Sequence, residues 1–144
     1  MGYTSIVCGV TGSMHAQEAA MEAARIAKNN NARLTFVYAV DASFLKSGIA
    51  MAGPVEESMM RLGMHIVEMA EQIALTLGVE SKKVVKAGPV LDVLKAVLAE
   101  EKADLLVLGH EKRTFFEKAM FKGEVEDHIE ELKQQTGVEI SVIR

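Results

Sequence analysis

DLLVLGHEKRTFFEKAMFKGEV, residues 104–125, decides the fold. Leu105 to Leu108 is an apolar run that stops at Gly109. A polar, basic stretch follows, His110 to Arg113, then Gly123, and after it a helical pattern. A run of four apolar residues closed by glycine reads as a strand buried on both faces, the habit of parallel sheets. Ligands of open parallel sheets sit beyond the carboxyl ends of the strands, near a helix N-terminus. Gly109 and the residues after it therefore mark the expected working end.

The same alternation extends in both directions. Tyr3 to Val10 reads as the first strand, carried by Ile6, Val7, Cys8 and Val10. Thr11-Gly12-Ser13 is a turn, with Ser13 placed to cap a helix that runs to about Lys28. Ala16, Ala19, Ala20, Ala23, Ala24 and Ala27 give that helix a smooth face for a sheet. Asn29 to Asn31 ends it, because Asn tolerates the left-handed cap conformation. Ala32 to Val40 is the second strand, and this βαβ opening predicts parallel, right-handed winding. Asp41 to Pro54 reads as a long loop, and a helix is expected from Val55 to about Leu77, with Met60, Met64, Val67 and Ile73 at helical spacing. Lys82 to Ala87 is the third strand, and Gly88-Pro89 opens the next helix with Pro at its first position. Asp104 to Gly109 is the fourth strand, Glu124 to Thr136 the last helix, and Val138 to Ile143 the fifth strand. The pattern predicts a single-domain α/β fold of the doubly wound, flavodoxin-like type, with five parallel strands and four helices over residues 1–144.

Composition narrows the function. A chain of 144 residues suits one domain with a sizeable core, and 49% hydrophobic with 25% charged residues is an ordinary globular balance. A net charge of -4 argues against nucleic acid as a partner. One cysteine allows no internal disulfide, which fits a reducing cytoplasm. MGYTSIVCGV has neither a cationic region nor a long apolar stretch, so no signal peptide or membrane span is expected.

The strand-four motif resembles the universal stress protein family. Nucleotide-binding members close that strand with Gly-x-x-Gly, then nine residues, then Gly-Ser or Gly-Thr. Here Gly109 matches the first glycine, Lys112 stands at the second, and Gly123 matches the third one residue late. Glu124 takes the hydroxyl position. GHEKRTFFEKAM is closer to the A-type subclass, whose members lack the glycine motif and do not hold ATP. The resemblance covers the whole chain and implies strand order 3-2-1-4-5, with strand five at an edge.

It also implies a nucleotide site on named positions. Where nucleotide-binding members end strand one in Asp, this chain has Thr11, a smaller and uncharged partner for the nucleoside. The backbone at Ala39 and Val40 matches the segment that meets adenine through main-chain atoms, and Leu108, Gly109, Gly123 and Val125 complete the frame. Lys112 obstructs a close phosphate approach if the backbone there needs positive φ. Glu124 satisfies the helix N-terminus itself, by roughly 0.3–1 kcal/mol, and repels a triphosphate. No cofactor is therefore expected, with ATP or AMP as the alternative. Lys112, Arg113, Lys118 and Lys122 either clamp phosphate or, the preferred reading, pair with the acidic last helix or simply solvate the loop.

Other chemistry is thin. The four histidines, His15, His65, His110 and His128, show no metal-ligand spacing, so no metal is expected. Cys8 reads as inert packing and the methionines 59, 60, 64 and 69 as core filler. Phe115 and Phe116 read either as anchors or as a contact patch. There is no nucleophile elbow, no Walker A motif and no paired carboxylate in a site context, so no catalytic residue is assigned. The favoured reading is a homodimeric stress-response protein that acts through contacts with an unknown protein partner. An adenine-nucleotide sensor is the alternative, and a hydrolase ranks last. The dimer is expected on the last strand through Val138, Ile140, Val142 and Ile143, because an edge strand offers unpaired N–H and C=O groups to a second copy.

Overall fold

A computed structural model describes residues 2–10, 14–40, 49–109 and 129–143. Its elements are β1 (Ser5–Gly9), α1 (Met14–Asn30), β2 (Arg33–Val40), α2 (Ile49–Thr76), β3 (Lys82–Ala87), α3 (Val90–Glu100), β4 (Leu105–Gly109), α4 (Ile129–Thr136) and β5 (Glu139–Ile143). They form one five-stranded sheet in the order β3-β2-β1-β4-β5, and every pairing is parallel. The doubly wound α/β fold expected from the apolar runs is the fold observed.

Alternation along the central strands builds two cores. Ile6, Cys8, Phe36 and Val107 point to one face, where they meet the alanines of α1 and Val67, Ala70 and Ala74 of α2. Val7, Val37, Leu106 and Leu108 point to the other, against Val93, Leu94, Val97 and Leu98 of α3 and Leu132 of α4. Small residues on α1 let that helix lie close to β1 and β4, while larger ones fill the space under α3. Asn31, at φ 53°, ends α1 in the left-handed conformation that its side chain tolerates.

The structure moves three boundaries or placements. The helix expected from Val55 begins at Ile49, so Gly53 and Pro54 lie inside α2 rather than in a loop. Ile49-Ala50-Met51-Ala52 favours helix, and the missing proline N–H removes a single bond near the helix start. Pro89 is the residue before α3, not its first helical position: its ψ of 139° is extended, and helical backbone begins at Val90. Met64 and Met69 are exposed rather than core filler, while Met59 and Met60 are half-buried. The start expected for the last helix, Glu124, lies outside the described residues.

The amino end of the sheet is tied by Asp104. Its carboxylate accepts from the Thr4 N–H at 2.9 Å, the Thr4 hydroxyl at 3.1 Å and the Ser5 N–H at 3.1 Å. Partial burial works to raise this carboxyl, but those bonds, with one from its own backbone, outweigh it and hold the group below its ordinary range. Next to it, the Glu101 carbonyl at the end of α3 accepts from the Ser5 hydroxyl at 2.9 Å and the Arg33 guanidinium at 3.0 Å. A cation there also suits the negative end of the helix.

Candidate functional site: the carboxyl ends of β1, β2 and β4

The order of strands reverses between β1 and β4. The chain winds outward from β1 to β3 and then returns to place β4 beside β1. The next described helices, α1 after β1 and α4 after β4, pack on opposite faces, the arrangement in which open α/β sheets hold ligands in a crevice at the carboxyl ends of the strands. The register sets Gly9 opposite Leu108 there, and Gly109 opposite Ile143. A Cβ added to Gly9 would stand 2.9 Å from Cδ2 of Leu108 and 3.6 Å from Cδ2 of Leu94. A larger residue at position 9 would therefore have to displace the Leu108 side chain where β1 and β4 pack over α3.

The described floor of this crevice is main chain and aliphatic side chain. Val10, Val40 and Leu108 are buried, and Gly9, Ala39 and Gly109 are half-buried. The Val10 N–H continues the ladder to the Val37 carbonyl at 2.9 Å, and the Val40 carbonyl accepts from the Gly88 N–H at 2.8 Å. That bond uses one of the two lone pairs of Val40, so the carbonyl keeps one for a ligand. None of these six residues titrates. They can seat a flat apolar group and offer main-chain hydrogen bonds, but they cannot move a proton.

Of the positions singled out from the sequence, Ala39, Val40, Leu108 and Gly109 all lie at the carboxyl edge of the sheet. Thr11, Lys112, Gly123, Glu124 and Val125 lie outside the described residues, as do His110, Phe115 and Phe116. His65 is exposed on α2. Among the described residues no three His, Cys, Asp or Glu side chains group as metal ligands. Cys8 is fully buried, and desolvation pushes its thiol far above the ordinary range, so it is no nucleophile.

The positions expected at a dimer contact lie on both faces of β5. Val138 and Ile140 pack against the α3 side and Ile143 against the α1 side, and residues 140–143 are half-buried. Val138 is buried within its own chain. Among the described residues no helix is long and apolar enough to cross a membrane.

Sequence reasoning missed the Asp104 clamp and the bond from the Tyr3 hydroxyl to Glu139 at 2.6 Å. No local pattern marks either one, because each joins residues about a hundred positions or more apart in sequence.

Comparison with known proteins agrees with this architecture. UspA, a universal stress protein from Lactobacillus plantarum, superposes with a TM-score of 0.80 at 22% identity, over 100% of this chain and 99% of that one. A universal stress protein in complex with cAMP gives 0.70 at 21% identity, over 100% and 98%. One from Archaeoglobus fulgidus in complex with dAMP gives 0.65 at 15% identity, over all of both chains. No curated protein sequence matches the chain. The model of the universal stress protein family matches residues 2–132. The chain belongs to the universal stress protein family.

Proposed function

We propose that this chain is a non-enzymatic, homodimeric stress-response protein of the A-type kind, which acts through protein contacts and holds nucleotide weakly or not at all. The observation that carries the reading is the crevice floor: Gly9, Val10, Ala39, Val40, Leu108 and Gly109 provide seating but no acid, base or nucleophile. The residues that would complete a phosphate site point the same way by their chemistry. Thr11 stands where nucleotide-binding members carry a carboxylate acceptor, Lys112 where they carry glycine, and Glu124 brings a negative charge to the position where they carry a hydroxyl.

A second reading is an adenine-nucleotide sensor. Its support is that two similar structures hold cAMP and dAMP. Main-chain seating at Ala39 and Val40 survives side-chain change, so a nucleoside can bind without the phosphate frame. Denaturing the purified protein and chromatographing the released small molecules separates the two. No adenine nucleotide, with no calorimetric signal for ATP at micromolar concentration, is the expected result. Released AMP or ATP in amounts comparable to the protein would move the conclusion to the sensor.

A further inference from the structure

Sulfur occupies two opposite settings in this fold. Cys8, the single cysteine, is sealed inside β1 with its thiol held protonated. Met21 on α1 and Met64 and Met69 on α2 are 56%, 40% and 47% exposed. A thioether needs no deprotonation before it reacts with a peroxide, so access governs its oxidation. Helical spacing arranges these side chains. Leu62 and Met69, two turns apart, share one flank of α2, and Met64 and Leu75, three turns apart, share the other. The core-facing line between them is Val67, Ala70 and Ala74. The ion pair from Glu71 to Lys83, at 3.2 Å, marks the Met64 flank as the β3 side. Right-handed winding turns the Leu62 flank toward α1, which carries Met21.

We propose that Met21, Met64 and Met69 are oxidation sites for hydroperoxides, which turn an apolar surface polar while the fold stays intact. In each reaction a sulfur lone pair attacks one peroxide oxygen. The S–O bond forms as the O–O bond breaks, sulfur loses two electrons, and the proton on the attacked oxygen passes to the departing one. The products are one sulfoxide and one water, or an alcohol from an alkyl peroxide. A sulfoxide beside Leu62 or Leu75 interrupts the exposed apolar flank with a strong hydrogen-bond acceptor. Val67, Ala70 and Ala74, the buried contacts that hold α2 on the sheet, carry no sulfur, and Met59 and Met60, about two turns before Val67 on the same arc, are half-buried, so oxidation limited to the exposed methionines leaves that packing untouched.

Graded hydrogen peroxide on the whole protein, followed by peptide-mapping mass spectrometry, tests this. Met21, Met64 and Met69 are expected to gain one oxygen each several-fold faster than the half-buried Met59 and Met60, with Cys8 unmodified and circular dichroism unchanged. Retention on a hydrophobic-interaction column should fall with oxidation. In the triple variant M21L/M64L/M69L that fall should shrink, since leucine keeps the apolar surface without the reactive sulfur. Equal rates for exposed and half-buried methionines would overturn the proposal. So would oxidation of Cys8 ahead of them, loss of the circular dichroism signal before their oxidation, or an undiminished retention shift in the variant.

Discussion

Gly63 and Asp104 do for this fold what no helix or strand pattern advertises. Gly63 sits in α2 where a Cβ would stand 2.5 Å from Cδ1 of Tyr38 and 3.1 Å from Cγ1 of Val85. Gly63→Ala gains about 1 kcal/mol of helix propensity. It loses about 1–3 kcal/mol by overpacking, because the atom it meets belongs to a ring seated on the sheet and not to a free chain end. The expected outcome is a net loss in urea denaturation with an unchanged slope; a rise in stability would show that α2 can lift from β2 at no cost. Asp104 carries a pH signature. Its carboxyl is lowered in the folded chain by the Thr4 and Ser5 bonds, which outweigh the opposing effect of burial. The unfolded chain thus binds the proton more readily, so stability from this group is complete above the ordinary aspartate value, near pH 4, and is lost as pH falls through the folded value. Asp104→Ala, which strands those donors at the strand starts, is expected to cost on the order of 1–3 kcal/mol at neutral pH. The deficit should narrow as the wild type is acidified; a gap that stays constant down to pH 2 would assign the loss to packing alone.

At the scale of elements, the two sheet edges are built differently. On β3, Lys82 and Lys86 reach Glu101 and Glu100 of the α3 end at 2.7 and 2.6 Å, while Lys83 reaches Glu71 of α2 at 3.2 Å. Alternation sends the even lysines to one face and the odd one to the other. Exposed pairs of this kind are worth only about 0–1 kcal/mol each, so their larger effect is to keep a second strand from adding to that edge. Lys82→Val with Lys86→Val is expected to leave the urea midpoint nearly unchanged and to make the protein aggregate. Solubility equal to wild type would remove lysine as the guard of β3. Most of this layout was legible in the sequence. LLVLG, SIVCG and RLTFVYAV are apolar runs too short for helices, and the observed strands fall within a residue or two of the expected ends. What stayed hidden depends on a third dimension. The start of α2 lay under Gly53 and Pro54, whose breaking tendency acts weakly near a helix N-terminus. Met64 and Met69 fit an apolar rhythm, yet that rhythm does not say which arc of a long helix meets the sheet. Gly109 was readable as the end of its strand, whereas Ala39 and Val40 came forward only through the family resemblance and Gly9 was not singled out. The Asp104 clamp was not readable, because its partners belong to the other end of the chain.

For the whole molecule the decisive contrast is between the guarded edge at β3 and the open one at β5. The β5 strand carries one charged residue among its five, Glu139, and that carboxylate accepts the Tyr3 hydroxyl at 2.6 Å. Hydrogen bonding to Glu139, then desolvation and the nearby negative charges, raises the Tyr3 hydroxyl above its usual range. The rest of the strand, Ile140 to Ile143, is half-buried with its outer main chain unpaired by any described strand. A two-fold pairing of this strand with its own copy would satisfy those groups and cover Ile140 and Val142, whereas Val138 is already buried in its own chain. We therefore predict a dimer by light scattering at micromolar concentration. Ile140→Pro removes an N–H and clashes with a neighbouring strand, so it should give a monomer whose circular dichroism still matches the wild type. A wild-type monomer would sink the proposal outright. A variant that remains dimeric with its fold intact would place the contact elsewhere on the surface. Because Ile143 is the register partner of Gly109, loss of the dimer should also loosen the carboxyl end of β4. Amide exchange measured on Leu108 and Gly109 should then quicken in the monomer while Ile6 and Val7 at the sheet centre stay protected; unchanged exchange at Gly109 would mean that assembly and crevice are independent.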